Sequence, residues 1–250
     1  MFKTLILVFR IIFWMLHRNK KLKKAIAADE KGDYAERDRI VQENVPAWAR
    51  YVFEITHSEV EVINKEKIPQ DRAVVFIGNH QGAMDIPVLL GYTDKPLAFV
   101  AKSDLQKIPC LSSWMDLMQC TFLDRKSPRK SVQAMHHAAD GVKRGYSQVI
   151  FPEGTRSLGG KHETFKPGSF KLAYMTDAPI VPFTLDGTWT IYEKTGHLQK
   201  GKVKLIIHDP IETKGLTKEE QQALPARIEK ICCDPLPEPI IPKKKKKKLI

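Results

Sequence analysis

The run Ala73-Val74-Val75-Phe76-Ile77 is apolar at every position and stops at Gly78. A strand with no polar alternation is buried on both faces, which requires a sheet covered by helices on both sides. After Asn79-His80-Gln81-Gly82-Ala83-Met84-Asp85 a second apolar run begins, Ile86-Pro87-Val88-Leu89-Leu90. Proline is tolerated in the first turn of a helix, so this run reads as the helix that follows the strand. The alternation continues along the chain. Strands are expected over 58–63, 97–101, 120–123, 148–151, 180–185 and 202–208, and helices over 128–144, 167–176 and 217–233. Val132, Met135, Ala139 and Val142 mark a buried stripe on the first of these helices. Thr217 and Glu220 form a capping box at the start of the last. Ile68–Asp71 reads as a turn, and Asp104 as the cap of a short helix that Pro109 interrupts. Such alternation predicts an α/β fold, a mostly parallel sheet flanked by helices.

The region before residue 58 follows another pattern. Residues 4–16 are almost wholly apolar. As a helix they span about 20 Å, short of the roughly 30 Å hydrocarbon core of a bilayer, and Arg10 interrupts them. The basic residues Arg18, Lys20, Lys21, Lys23 and Lys24 follow the apolar run, whereas a signal peptide carries its charges first. The expectation is a monotopic helix in one leaflet, with Trp14 at the interface and the basic cluster on lipid headgroups. A buried N-terminal helix is the alternative. Residues 28–44 are polar and helix-compatible. Val45, Trp48, Ala49, Val52 and Phe53 then recur at helical spacing. That amphipathic helix has two open placements, beside the first helix at a membrane or against the body.

Charge location narrows the partners. The net charge is +12. The basic residues up to Lys24 and the lysine run 243–248 together exceed that total, so the intervening body is close to neutral. A nucleic-acid binder carries its charge on a folded face. Basic ends on a neutral body fit an anionic phospholipid membrane instead. Cys110, Cys120, Cys232 and Cys233 show no metal-ligand spacing, and the adjacent pair suits no ordinary disulfide. They read as buried thiols in a reducing compartment.

His80 stands where the strand ends and the helix begins, the edge at which open α/β sheets bind ligands. Five residues of regular helix rotate by about 140°, so His80 and Asp85 meet only if the chain curls around Gly82. A carboxylate on the imidazole fixes its tautomer and stabilises the imidazolium, leaving the other nitrogen as a general base. A histidine capping a carbonyl at the helix start is the plain alternative. With no Ser or Cys nucleophile in the segment, such a base acts on a substrate hydroxyl. Three more segments fall at strand ends: Phe122-Leu123-Asp124-Arg125, Phe151-Pro152-Glu153-Gly154-Thr155-Arg156-Ser157, and Lys166-Pro167-Gly168-Ser169. Gly154 frees the backbone, Thr155 and Ser157 offer hydroxyls and Arg156 a planar fork, a set suited to a phosphate. Glu153 is unsuited to a phosphate and reads as holding an arginine or a substrate hydroxyl. His136, His137, His162 and His208 read as structural or surface residues.

These segments resemble the 1-acyl-sn-glycerol-3-phosphate acyltransferase family, the lysophosphatidic acid acyltransferases with an HX4D motif. Asn79-His80-x4-Asp85 matches its first motif, Phe122–Arg125 its second, Phe151–Ser157 its third in full, and Pro179-Ile180-Val181-Pro182 its fourth. Lys102-Ser103-Asp104-Leu105 resembles a lysine-containing family segment, with Asp104 where Glu is commoner. Gln119 departs from the family, which carries glycine there; the expectation is that it narrows the acceptor pocket. The resemblance implies acyl transfer to the sn-2 hydroxyl of lysophosphatidic acid, giving phosphatidic acid. The alternative acceptor is glycerol 3-phosphate or another lysophospholipid. It implies His80 and Asp85 as the catalytic pair, and Lys102, Arg125, Glu153, Gly154, Thr155 and Arg156 as substrate-binding residues. No cofactor or metal is implied, with acyl-CoA or acyl-acyl-carrier protein as co-substrate. The expected organisation is a membrane-associating two-helix segment over 1–57, an acyltransferase domain over 58–235 and a Pro/Lys-rich basic tail over 236–250. The expected location is the cytoplasmic face of the inner membrane.

Overall fold

The computed structural model describes residues 2–124 and 127–239, so Arg125 and the lysine run lie outside the described residues. Three helices come first, where two were expected: α1 (Phe2–His17), α2 (Asn19–Glu30) and α3 (Tyr34–Thr56). The α/β body then runs β1 (Glu59–Ile63), β2 (Val75–Gly78), α4 (Asp85–Tyr92), β3 (Leu97–Lys102), α5 (Leu111–Leu117) and β4 (Thr121–Leu123). It continues with α6 (Pro128–Lys143), β5 (Ser147–Ile150), α7 (Lys171–Thr176), β6 (Ile180–Asp186), β7 (Lys202–Ile207) and α8 (Lys218–Cys233). The sheet order is β1-β7-β6-β2-β5-β3-β4. Every pairing is parallel except β6 with β7. The expected α/β fold, a mostly parallel sheet flanked by helices, is the observed one.

β2 is central and buried throughout, and its two faces feed two cores. Phe76, Val149, Val181 and Phe183 meet Phe53 of α3 and Val88 and Leu89 of α4 on one side. Val75, Ile77, Ile150 and Ile180 meet Ala138, Leu172 and Ile228 on the other. Each large apolar side chain so buried contributes about 1.5–3 kcal/mol, which is why the uninterrupted strands hold the middle of the sheet. The capping box on α8 is present, Thr217 and Glu220 each accepting the other's backbone N–H.

Several local expectations are corrected. The helix expected to begin near residue 28 is broken at Gly32 (φ +74°), and Asp33 caps α3 by accepting the Glu36 N–H at 3.1 Å. Val132 is exposed, because the first turns of α6 run past the short edge strand β4; burial starts at Ala138, Ala139 and Val142. Asp104 does not cap its 3₁₀ turn, which starts at Ser103, but pairs with Lys102. Gln119 precedes β4 at the amino edge of the sheet, away from His80, and accepts from Arg144 at 3.0 Å. Its φ of +63° explains why glycine suits this position, a left-handed conformation that costs other residues energy.

The amphipathic segment of α3 packs its Val45, Ala49, Val52 and Phe53 onto the body. It also touches α1, where Trp14 stacks on Tyr51 and Arg10 Nε donates to the Tyr51 hydroxyl at 3.2 Å. Arg37, 2 % exposed, clamps the helices to the body by binding Asp29, Asp38 and the Tyr146 hydroxyl. α1 buries Leu7 but presents Leu5, Phe9, Ile12, Phe13 and Leu16 to the outside. Among the described residues no helix is long and apolar enough to cross a membrane.

Candidate active site

The site begins with a steric demand. A Cβ on Gly78 would overlap the Phe183 carbonyl oxygen, so only glycine lets β2 close on β6 there. Past Gly78 the backbone ladder stops and side chains take over. Asn79 donates to the Leu185 carbonyl at 2.8 Å and accepts the Leu185 N–H at 2.7 Å. Gln81 Oε1 accepts the Gly187 N–H at 2.8 Å and the Thr188 hydroxyl at 3.3 Å. The Ala83 N–H goes to Glu193 Oε1 at 2.7 Å. Residues 79, 81 and 83 are thus stitched to one flank of the turn.

The other flank is the loop after β5. Glu153, 1 % exposed, accepts the His80 N–H at 2.6 Å on Oε1 and the Glu163 N–H at 3.0 Å on Oε2. Burial pushes its carboxyl up, against the pull of those two amides. The Ser157 and Leu158 amides donate to the carbonyls of His80 and Gln81 at 2.8 and 3.1 Å. Glu153 therefore holds loop backbone, in place of the arginine or substrate hydroxyl expected from the sequence. Gly154 makes the turn at φ +70°.

Between the flanks, Asp85 Oδ2 is the acceptor for three donors. His80 Nδ1 lies at 2.6 Å, the Gln81 N–H at 2.7 Å and the Gly82 N–H at 3.0 Å. Asp85 is completely buried. An acceptor so placed puts the imidazole proton on Nδ1 and leaves the Nε2 lone pair outward. Phe151 supports the ring by stacking, centroids 4.0 Å apart and planes at 17°. The His80 side chain remains 18 % exposed. This arrangement can accept a proton at Nε2 and stabilise the resulting imidazolium.

The cationic candidates lie around this centre. Arg156 is exposed and donates through Nη1 to Glu193 at 3.1 Å. Thr155 is exposed beside it, and Lys102 closes β3 at the same edge of the sheet, paired with Asp104. Lys166 is exposed at the start of the 3₁₀ turn Pro167–Phe170. A cleft of about 340 Å³ runs between Thr155, Glu163, Thr164 and Lys166. Three of the other histidines have structural partners: His137 meets Thr121, His162 meets Glu229 and His208 meets Thr184, while His136 is exposed on α6. Sequence reasoning missed the supporting roles of Asn79, Gln81 and Phe151, although all three lie within its motifs. It also missed Glu193, which no motif marks.

The carboxyl edge of this mostly parallel sheet thus carries a His-x4-Asp turn and an adjoining Glu-Gly-Thr-Arg loop. By comparison with known proteins, the chain belongs to the acyltransferase family. The family model described as Acyltransferase matches residues 59–186. Similar proteins narrow the comparison. The 1-acyl-sn-glycerol-3-phosphate acyltransferase of Borreliella burgdorferi is 34 % identical over 172 residues, covering 68 % of this chain and 68 % of that protein. The chloroplastic 1-acyl-sn-glycerol-3-phosphate acyltransferase of Brassica napus is 36 % identical over 156 residues, 61 % of this chain; the chain spans only 45 % of that longer protein. The crystal structure of the 1-acyl-sn-glycerophosphate (LPA) acyltransferase from Thermotoga maritima superposes with a TM-score of 0.78 at 29 % identity, covering 92 % of this chain and 91 % of that one.

Proposed function

We propose that this protein transfers an acyl chain from acyl-CoA or acyl-acyl-carrier protein to the sn-2 hydroxyl of lysophosphatidic acid, giving phosphatidic acid. The observation that carries the reading is the 2.6 Å contact between His80 Nδ1 and the buried Asp85 carboxylate. The names of the relatives supply the substrate class. His80 Nε2 takes the hydroxyl proton as the oxygen attacks the thioester carbonyl. The tetrahedral intermediate collapses, the C–S bond breaks, and the imidazolium returns its proton to the thiolate. General-base catalysis of this kind supplies about 10²–10⁴-fold, and positioning of the acceptor adds to it. Arg156, Lys102 and Arg125, with the Gly154-Thr155 backbone and hydroxyl, take the acceptor's phosphate. Glu153 orients the turn that carries the base.

The membrane side of the reading rests on α1. Its exposed Phe9, Phe13 and Leu16 face a leaflet of an anionic bilayer, on the cytoplasmic face of the inner membrane. Lys21 and Lys24 are paired at the surface with Glu43 and Glu36, so Arg18, Lys20, Lys23 and the lysine run provide the headgroup contacts. Each basic residue near the lipid contributes about 1 kcal/mol. In this reading residues 1–57 associate with the membrane, 58–235 form the acyltransferase domain and 236–250 a basic tail.

The test is thiol release from palmitoyl-CoA and from acyl-acyl-carrier protein by protein on anionic vesicles, beside His80→Ala. Release that needs lysophosphatidic acid and disappears in the variant is expected. Release needing glycerol 3-phosphate or another lysophospholipid instead would reassign the acceptor. Release that survives His80→Ala would overturn the base.

A further inference from the structure

Glu193 belongs to none of the motifs and lies beyond the segment 59–186 that matches the family. Its side chain is nonetheless only 7 % exposed. One oxygen, Oε1, accepts both the Ala83 N–H at 2.7 Å and Arg156 Nη1 at 3.1 Å. The other, Oε2, has no hydrogen-bond partner among the described residues. It presses against the backbone of Gly82, where a Cβ would come within 2.5 Å of it. A buried carboxylate is costly unless its charge is used. A neutral side chain would accept the Ala83 amide equally well, so the charge is explained by Arg156.

We propose that Glu193 is the positioning residue for the acceptor's phosphate. It holds the Arg156 guanidinium by one nitrogen and leaves the rest of the fork open to phosphate oxygens. It anchors that arginine to the turn carrying His80, so headgroup and base share one frame. An exposed arginine otherwise loses considerable side-chain freedom on binding an anion; the carboxylate removes part of that loss in advance. The inference rests on the acceptor reading above and adds to it a residue from a different loop.

The experiment compares the wild type with Glu193→Gln, Arg156→Ala and the double variant. It measures lysophosphatidic acid binding by calorimetry in detergent micelles, KM and kcat for the same acceptor, and thermal unfolding. Glutamine keeps a carbonyl for the Ala83 amide and loses the ion pair. Its unfolding midpoint should stay near that of the wild type, while Kd and KM rise about 5–10-fold with kcat changed less. In the Arg156→Ala background Glu193→Gln should add nothing. A merely structural role would lower the midpoint and act alike in both backgrounds. Should the glutamine variant fail to fold, Glu193→Asp gives the same cycle, with the charge kept and the reach shortened. Binding as tight as or tighter than wild type in the glutamine variant, or an undiminished effect without Arg156, overturns the proposal alone. A wild type that neither binds nor acylates lysophosphatidic acid overturns the acceptor reading instead.

Discussion

Replacing Asp85 by asparagine separates the geometry of the turn from the charge behind the base. In the folded protein Asp85 Oδ2 serves His80 Nδ1, the Gln81 amide and the Gly82 amide at 2.6, 2.7 and 3.0 Å. The asparagine carbonyl can keep both backbone amides, so the turn should survive. What disappears is the negative charge that, in the proposed mechanism, faces the imidazolium formed when His80 takes the substrate proton. Two unit charges about 4 Å apart interact by about 4 kcal/mol at the effective dielectric of a protein. At 1.36 kcal/mol per decade that is about a 10³-fold loss in kcat. KM for lysophosphatidic acid should change little, because Asp85 is completely buried. Acceptor-dependent thiol release at saturating acceptor, with circular dichroism as the control for folding, measures both quantities. A folded Asp85→Asn enzyme keeping more than a tenth of wild-type kcat would refute the assignment of Asp85 as the partner of the base.

Asn79→Ala should destabilise the protein by roughly 2–5 kcal/mol, because it strands a buried N–H and a buried carbonyl of Leu185; urea unfolding checks it. Gln119→Gly should raise stability by up to about 1 kcal/mol, relieving a left-handed φ of +63°. Its activity should not change, because the position is at the far edge of the sheet; denaturation midpoints and turnover test the two halves. Burial holds the His208 imidazole below its ordinary 6.5. Below about pH 6.5 the unfolded chain takes up a proton that folded His208 refuses. Its contribution is therefore fully present above that pH and lost as pH falls through the window beneath it. His208→Gln should show a flatter loss of stability between pH 7 and 5, measured as urea midpoints.

The sheet was legible because its central strands are apolar without interruption, as Val75, Phe76 and Ile77 show. The His80–Asp85 contact was legible for a related reason: their spacing fits no regular helix, so only a turn can join them. The break at Gly32 was not legible, since glycine inside a polar helix reads the same until its φ is known. Val132 misled because periodicity marks a helix face without saying how far the sheet beneath extends. Gln119 lies three residues before Phe122 in sequence, yet β4 carries it to the opposite edge of the sheet from His80, a separation that sequence spacing does not reveal. Glu193 was invisible for the opposite reason, its partners Ala83 and Arg156 being far away along the chain. Glu153 was found as a residue and misread as a role, because nothing local tells a carboxylate that binds ligand from one that binds backbone.

The stitching of residues 79–83 sets the clock of the turn that carries His80. The Gln81, Gly82 and Ala83 amides are held by carboxylates, and the carbonyls of His80 and Gln81 are occupied by Ser157 and Leu158. To open, the turn must break bonds to both neighbouring loops, whose other ends are strands of the sheet. Hydrogen exchange at these amides should therefore proceed only through large-scale unfolding, as in the core, although the turn reaches the surface. Exchange at rates typical of a loop would contradict this. Under the proposed function the base would stay in place between one turnover and the next, and any motion that admits or releases lipid would belong to the elements around it.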